Sequence, residues 1–167
     1  LTTHSYSNGS LLTMPESPKA KISHDTESTV RARLLGSRMA AEATLTGFGE
    51  YIYPGYITSP YTLMLANILE GVLEGDIKRL IIETPPRHSK SVHVSELLPA
   101  FALGRNPNMR LILASYASKL AVSFSRRVRN AIQSDKYEKV FPNTRLAADS
   151  RSAAMWDVAG SRGGMIA

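Results

Sequence analysis

Hydrophobic residues recur along this chain with two spacings, which predict helices in some segments and strands in others. Apolar residues three and four positions apart predict helices over residues 25–44, 59–75, 90–104 and 117–134. Continuous apolar runs at residues 80–82 and 111–114 predict strands that are covered on both faces, the first of them central. Since strand and helix alternate here, the strands should be parallel with right-handed crossovers, which makes the fold class α/β.

Several residues mark where these helices start, stop or bend. Ser59 and Pro60 form a strong helix start, and Gly75 stops that helix. Pro99 has no backbone N–H to donate, so it should kink or end the helix that begins near Lys90. The first helix should bury one apolar side, made of Val30, Leu34, Leu35 and Met39.

The chain divides into three parts by composition. Residues 1–23 are rich in Ser, Thr, Pro and Asn and have no apolar period, which predicts a disordered tail. Residues 24–78 form a helical and aromatic lead-in, and residues 79–167 form the core. Within that core, residues 153–158 and 164–167 flank a Gly-containing turn, which predicts a C-terminal β-hairpin.

Composition limits the function classes. The 167 residues suffice for one well-buried domain, and no apolar run approaches the roughly 20 residues of a membrane span. The chain has no cysteine, which excludes disulfides and thiolate metal sites. Its formal charge of +6 is concentrated after residue 104: residues 70–104 hold four basic and five acidic residues, and residues 105–151 hold ten and three. This asymmetry suits an anionic partner but is equally typical of a solvated surface.

The segment from Thr84 to Ser91 carries the candidate chemistry. It follows a predicted strand, makes a turn at Pro85 and Pro86, and opens a helix with Lys90 and Ser91. A helix N-terminus offers unpaired N–H groups to phosphate, a lysine adds positive charge, and a serine hydroxyl can bind Mg²⁺. The general eight-residue phosphate loop has glycine where this chain has Thr84 and Ser89, so that pattern alone is weakly matched.

The particular residues of this loop make a more specific resemblance. The sequence Pro-Pro-Arg-His-Ser-Lys-Ser over residues 85–91 resembles the variant Walker A loop of the large terminase subunits of tailed bacteriophages. Residues 75–82 before the loop, and residues 115–117 and 124–126 after it, are also similar to these proteins. The resemblance covers the chain from about Phe48 onward.

The resemblance implies a P-loop NTPase fold of the RecA-like (ASCE) kind, here a partial parallel sheet with flanking helices. It implies ATP and Mg²⁺ as cofactors, with Ser91 as the metal ligand and with Arg87 beside the γ-phosphate. Arg87 and Lys90 would be the catalytic residues. The nucleotide would be held by the loop residues Pro86, Arg87, His88, Ser89, Lys90 and Ser91.

The aromatic residues upstream of the loop are candidates for the nucleobase. In the terminase family this region lies near adenine, so one ring of the cluster could stack on the base. An ordinary packing role is the more common explanation for any single tyrosine. The cluster consists of Phe48, Tyr51, Tyr53 and Tyr56.

Family resemblance also implies the larger assembly. The partners would be double-stranded DNA, the small terminase subunit and the capsid portal, in a homo-oligomeric ring with no membrane, in the cytoplasm of a bacterial host. The helix over residues 117–134 has a basic side, formed by Lys119, Arg126 and Arg129, that suits the DNA backbone. Without the resemblance, a solvated basic face is the better interpretation.

The predicted chemistry lacks one component. Phosphoryl transfer of this kind needs a strand ending in acidic residues, and no apolar strand after Ser91 ends that way. We therefore expect an incomplete ATPase core, truncated before its Walker B strand and without the nuclease domain, and inactive alone. Two alternatives remain open: a non-catalytic nucleic-acid or protein-binding module with a relic loop, and a small-molecule kinase.

Overall fold

Helices make up most of the structure, a computed structural model that describes residues 27–150 and 152–167. The predicted tail, residues 1–23, lies outside the described residues. The helices are α1 (Glu27–Ala43), α2 (Leu45–Ile52), α3 (Pro60–Glu74), α4 (Lys90–Val92), α5 (Leu98–Arg105), α6 (Ser118–Ile132) and α7 (Asp135–Val140). One turn of π-helix, His93–Leu97, joins α4 to α5.

The predicted limits of α3 are confirmed. The Ser59 hydroxyl accepts a hydrogen bond from the Thr62 N–H, and the Thr62 hydroxyl oxygen accepts one from the Ser59 N–H at 2.8 Å. This capping box satisfies two of the donors that a helix start leaves unpaired. At the other end Gly75 takes the left-handed conformation, with φ of 87°, that a glycine adopts without steric cost.

The disturbance predicted at Pro99 takes the form of the π-turn. The Leu98 N–H donates to the His93 carbonyl five residues back, and Pro99 then lies in the first turn of α5. Pro99 has no N–H to donate, and it lies where the hydrogen-bonding pattern changes from the π-turn to the α-helix. The helix therefore runs on to Arg105, and the π-turn buries both His93 and Glu96.

A small sheet holds the strands β1 (Arg110–Ile112), β2 (Met155–Asp157) and β3 (Gly164–Ile166) in the order β1-β3-β2. The predicted hairpin is confirmed, since β2 and β3 pair antiparallel, and β1 pairs parallel to β3. Leu111, Met165 and Trp156 lie side by side in this register, and this row faces the core.

Residues 80–82 do not form the central strand predicted for them. The segment belongs to no helix or strand, and Ile81 is 88% exposed. A strand is defined by its hydrogen-bonded neighbours, and among the described residues none pairs with this segment. The apolar sequence of residues 80–82 favours burial, but in this structure Leu80 and Ile81 are exposed.

Several helices also differ from the prediction, either in the side that they bury or because they were not predicted. The expected apolar side of α1 is exposed, and Ala41 is the residue of this helix that is buried. Helices α2 and α7 were not predicted; each starts at a hydroxyl cap, Thr44 for α2 and Ser134 for α7. In α6 the buried side is rotated by one residue from the predicted one, to Ala121, Ser125, Val128 and Ile132.

The core joins the aromatic lead-in to the sheet. Four aromatic rings pack together with centroids 5.3–6.0 Å apart: Phe48, Phe101, Tyr137 and Phe141. Trp156, 1% exposed, donates its indole N–H to the Ser125 hydroxyl at 2.8 Å, which ties β2 to α6. Within the described residues, no helix has the length and apolar character that crossing a membrane requires.

A close backbone approach explains two glycines of the hairpin. A side-chain carbon at Gly163 would lie 2.1 Å from the Pro107 carbonyl oxygen. One at Gly164 would lie 2.3 Å from the Trp156 carbonyl oxygen. Real carbon and oxygen atoms do not approach so closely, so only glycine fits at either position.

Candidate phosphate-binding site

The predicted phosphate loop forms the wall of a cleft at the start of α4. The cleft has a volume of about 330 Å³. Lys90 is half-buried in it, while Arg87 and Ser91 are exposed. Its lining residues are Thr84, Pro85, Pro86, Arg87, Ser89, Lys90, Ser91 and Val92, which include every predicted loop residue except His88.

Two residues of the loop have left-handed backbone conformations. The φ angles are 66° at Arg87 and 57° at Ser89. Residues with side chains rarely adopt this conformation, which glycine adopts freely. Ser89 occupies the position where the general loop pattern has its second glycine, and its positive φ is of the kind that glycine adopts freely.

The floor of the cleft holds a polar atom with no hydrogen-bond partner among the described residues. This atom is the Thr84 hydroxyl oxygen, which is buried. Buried hydroxyl groups are nearly always hydrogen-bonded, since leaving one unpaired costs about 1–3 kcal/mol. The oxygen is closed off from solvent in this structure, so a ligand in the cleft would reach it only if neighbouring residues moved.

His88 lies beside the cleft and does not line it. Its Nδ1 is 3.0 Å from the Pro86 carbonyl oxygen, which can only accept, so Nδ1 carries the proton. The imidazole also meets the Tyr61 ring edge-on, with centroids 6.0 Å apart. These contacts brace the turn at Pro86, and the predicted nucleotide contact of His88 stays a prediction.

A second cleft adjoins the first and contains part of the aromatic cluster. Its volume is about 240 Å³, and it shares Ser89 and Val92 with the phosphate cleft. Tyr53 and Tyr56 line it, whereas Phe48 is fully buried in the core and Tyr51 lies under the Lys136 ammonium. Of the four aromatic residues considered for a nucleobase, only Tyr53 and Tyr56 therefore lie next to the loop.

Glu96 is buried behind the loop with both carboxylate oxygens hydrogen-bonded. Oε1 accepts from the Arg127 guanidinium at 2.7 Å, and Oε2 accepts from the Tyr53 hydroxyl. Burial, reinforced by the bond to Glu96, raises the pKa of Tyr53 well above its usual value. The same carboxylate raises the pKa of Arg127. This network connects the lead-in, the π-turn and α6, and Glu96 within it is only 4% exposed.

The predicted basic side of α6 is only partly open to solvent. Lys119 and Arg126 are exposed, and Arg129 is half-buried. Arg127 bonds to Glu96 although more than half of its side chain is exposed, so its charge is partly neutralised within the protein. The surface thus keeps two fully exposed cations and one partly covered cation along the same helix.

The donor groups present suit Mg²⁺ only together with a phosphate ligand. No group of three or more His, Cys, Asp or Glu side chains within residues 27–150 and 152–167 is arranged to hold a metal. Mg²⁺ usually keeps several waters and binds through one or two protein groups plus substrate phosphates. The exposed Ser91 hydroxyl at the rim of the cleft fits this pattern as a single protein ligand.

Comparison with known proteins adds no relative to these observations: no family model, curated protein or solved structure matches the chain. The site is therefore defined by its geometry and by the sequence of its loop.

Sequence reasoning missed the polar residues behind the loop. His93 and Glu96 are three residues apart in the helix after the loop, which is a signal that both face the same way. Their partners are Tyr53 and Tyr56, about 40 residues upstream in the chain. Local periodicity carries no information about such a pairing.

Proposed function

We propose that this chain is the ATP-binding part of a terminase-type ATPase that powers the packaging of viral DNA. The observation that carries the proposal is the cleft built by Thr84–Ser91, with Lys90 at the helix start and two left-handed loop residues. Phosphate groups suit this cleft because it combines a cation with the N–H groups of a helix start.

The proposed roles come from the resemblance and are compatible with the positions around the cleft. Lys90 would neutralise the β- and γ-phosphates, and Arg87, an exposed lining residue, would contact the terminal phosphate. Ser91 would bind Mg²⁺, which lowers the charge repulsion between phosphate oxygens when it is bound. The neighbouring cleft shares Ser89 and Val92 with the first and would offer the aromatic surface of Tyr53 and Tyr56 to a nucleobase.

Double-stranded DNA is the proposed macromolecular partner, and α6 is its contact surface. Lys119, Arg126 and Arg129 lie on one helix, and Arg127 of the same helix bonds to Glu96 behind the phosphate loop. This ion pair connects α6 to the π-turn that follows the loop and α4. The small terminase subunit, the portal and a homo-oligomeric ring belong to the same proposal.

Replacing Lys90 with alanine should weaken Mg·ATP binding at least about tenfold, because a charge-assisted contact to phosphate is lost. Fluorescence titration with an ATP analogue measures this. Lys78→Ala is the matched control, since Lys78 is also a lysine, exposed and outside the cleft. Equal affinities for the wild type and Lys90→Ala would refute the proposed phosphate site.

The same chain should bind ATP without measurable turnover. Among the described residues no carboxylate lines the cleft, and Glu96 has both oxygens engaged. Without a carboxylate nothing in the cleft orients the attacking water, which is the main task left to the protein in phosphoryl transfer. A phosphate-release assay on the purified chain tests this. Hydrolysis that disappears in Lys90→Ala would contradict the expectation and direct attention first to Glu83.

A further inference from the structure

His93 is a buried histidine that the phosphate chemistry does not use directly. It is 1% exposed and begins the π-turn three residues after Lys90. Its imidazole has a polar partner at each nitrogen: Nδ1 is 2.9 Å from the Ser89 carbonyl oxygen, and Nε2 is 2.9 Å from the Tyr56 hydroxyl. The ring therefore connects the phosphate loop to the aromatic lead-in.

The partners determine where the protons lie. A carbonyl oxygen only accepts hydrogen bonds, so Nδ1 must carry the hydrogen that points to Ser89. In a neutral imidazole Nε2 is then the acceptor, and the Tyr56 hydroxyl donates to it. The Ser89 carbonyl receives a second hydrogen bond, from the His93 backbone N–H at 3.1 Å. One residue thus supplies two donors to this carbonyl.

Fixing the Ser89 carbonyl also fixes the next N–H. The peptide unit is planar and trans, so the Ser89 C=O and the Lys90 N–H point in opposite directions. With the carbonyl held toward His93, the Lys90 N–H is held away from His93. Ser89 needs such support because it has a left-handed conformation that costs free energy for any residue with a side chain.

We propose that His93 is a positioning residue for phosphate binding, acting through the Ser89–Lys90 peptide. This inference rests on the proposed function, because it assumes that the loop binds phosphate. The hydrogen bond from Nδ1 offsets the free-energy cost of the left-handed conformation at Ser89, a cost that a glycine at position 89 would not have. Tyr56 in turn orients the imidazole through Nε2.

Two substitutions separate the hydrogen bond from simple filling of space. His93→Asn keeps an N–H donor at the place of Nδ1, and His93→Leu keeps an apolar side chain of similar bulk with no donor. We expect His93→Leu to weaken the binding of Mg·ATP about tenfold, which is the usual effect of one lost hydrogen bond. His93→Asn should stay within about threefold of the wild type.

Inorganic tripolyphosphate serves as a second probe because it has no base. The loss of affinity in His93→Leu should be the same for tripolyphosphate as for the ATP analogue. Damage to the cleft lined by Tyr53 and Tyr56 would instead weaken the binding of the nucleotide alone. Equal binding by folded His93→Leu and wild type, or equal losses in the Leu and Asn variants, would overturn the positioning role.

Nitrogen NMR of the wild-type imidazole provides a test that needs neither ligand nor variant. The expected spectrum shows a proton on Nδ1, and a ring protonated at Nε2 alone would overturn the inference even if His93→Leu does not fold. Lys90→Ala, measured in the same Mg·ATP binding titration as the His93 variants, separates the proposed phosphate site from the proposed role of His93. If Lys90→Ala loses binding and His93→Leu does not, only the positioning role of His93 is refuted. If Lys90→Ala binds like the wild type, the phosphate site and the role of His93 are both refuted.

Discussion

Replacing Lys119, Arg126 and Arg129 with glutamate is expected to reduce duplex DNA binding by on the order of 100-fold at low salt. Each cation that neutralises a phosphate releases a counterion, so three lost contacts remove most of a sequence-independent affinity. Arg129 should contribute least of the three, because its side chain is half-buried. The slope of log affinity against log salt should also become shallower, by about three for the triple variant.

Fluorescence anisotropy with a labelled duplex at several salt concentrations measures both quantities. A matched control reverses three exposed cations outside α6, at Lys78, Lys139 and Arg162, which changes the net charge equally. If binding depends only on net charge, the two triple variants will lose the same affinity and α6 is not the DNA surface. Undetectable binding of wild type at low salt would also remove DNA from the proposal.

Trp156→Ala should lower the free energy of unfolding by about 4 kcal/mol, the largest stability effect that we expect. The indole is 1% exposed and fills the space between the sheet and α6. Its removal leaves a cavity and also leaves the buried Ser125 hydroxyl without its donor. Trp156→Phe keeps most of the volume and should cost about 1–3 kcal/mol, mainly through the lost hydrogen bond.

Denaturant unfolding followed by circular dichroism is the appropriate measurement, since Trp156 is the only tryptophan and its fluorescence disappears in the variant. Met155→Ala is the control, because Met155 is the preceding residue of β2 and is 54% exposed on the opposite face. It should cost less than about 1 kcal/mol. A loss in Trp156→Ala no greater than that of Met155→Ala would show that the hairpin does not stabilise the domain.

Helix ends and the hairpin were predictable because their signals are local. Ser59, Pro60 and Gly75 set the limits of α3 by interactions within a few residues. The hairpin over β2 and β3 is likewise marked by a short Gly-containing turn. Residues 80–82 show the opposite case, because their apolar run describes a preference for burial and burial depends on a neighbouring strand elsewhere in the chain.

The candidate site divides in the same way. The order of residues in the loop predicts Lys90 and Ser91 as site residues; both line one cleft, and their contact with phosphate and Mg²⁺ stays a prediction. The bonds of His93 to Tyr56 and of Glu96 to Tyr53 join segments about 40 residues apart. Nor did periodicity reveal that Arg127 faces Glu96, since the buried side of α6 is rotated by one residue from the expected one. Long-range packing determines these contacts.

The two glycines at the start of β3 restrict how this region can change through evolution. Every single-nucleotide change that replaces a glycine codon with another amino acid adds a side-chain carbon. At Gly163 and Gly164 that carbon would meet backbone oxygens at 2.1 and 2.3 Å, and backbone atoms cannot rotate aside as a side chain can. Relatives of this chain should therefore retain glycine at both positions even where the residues of the predicted phosphate loop differ.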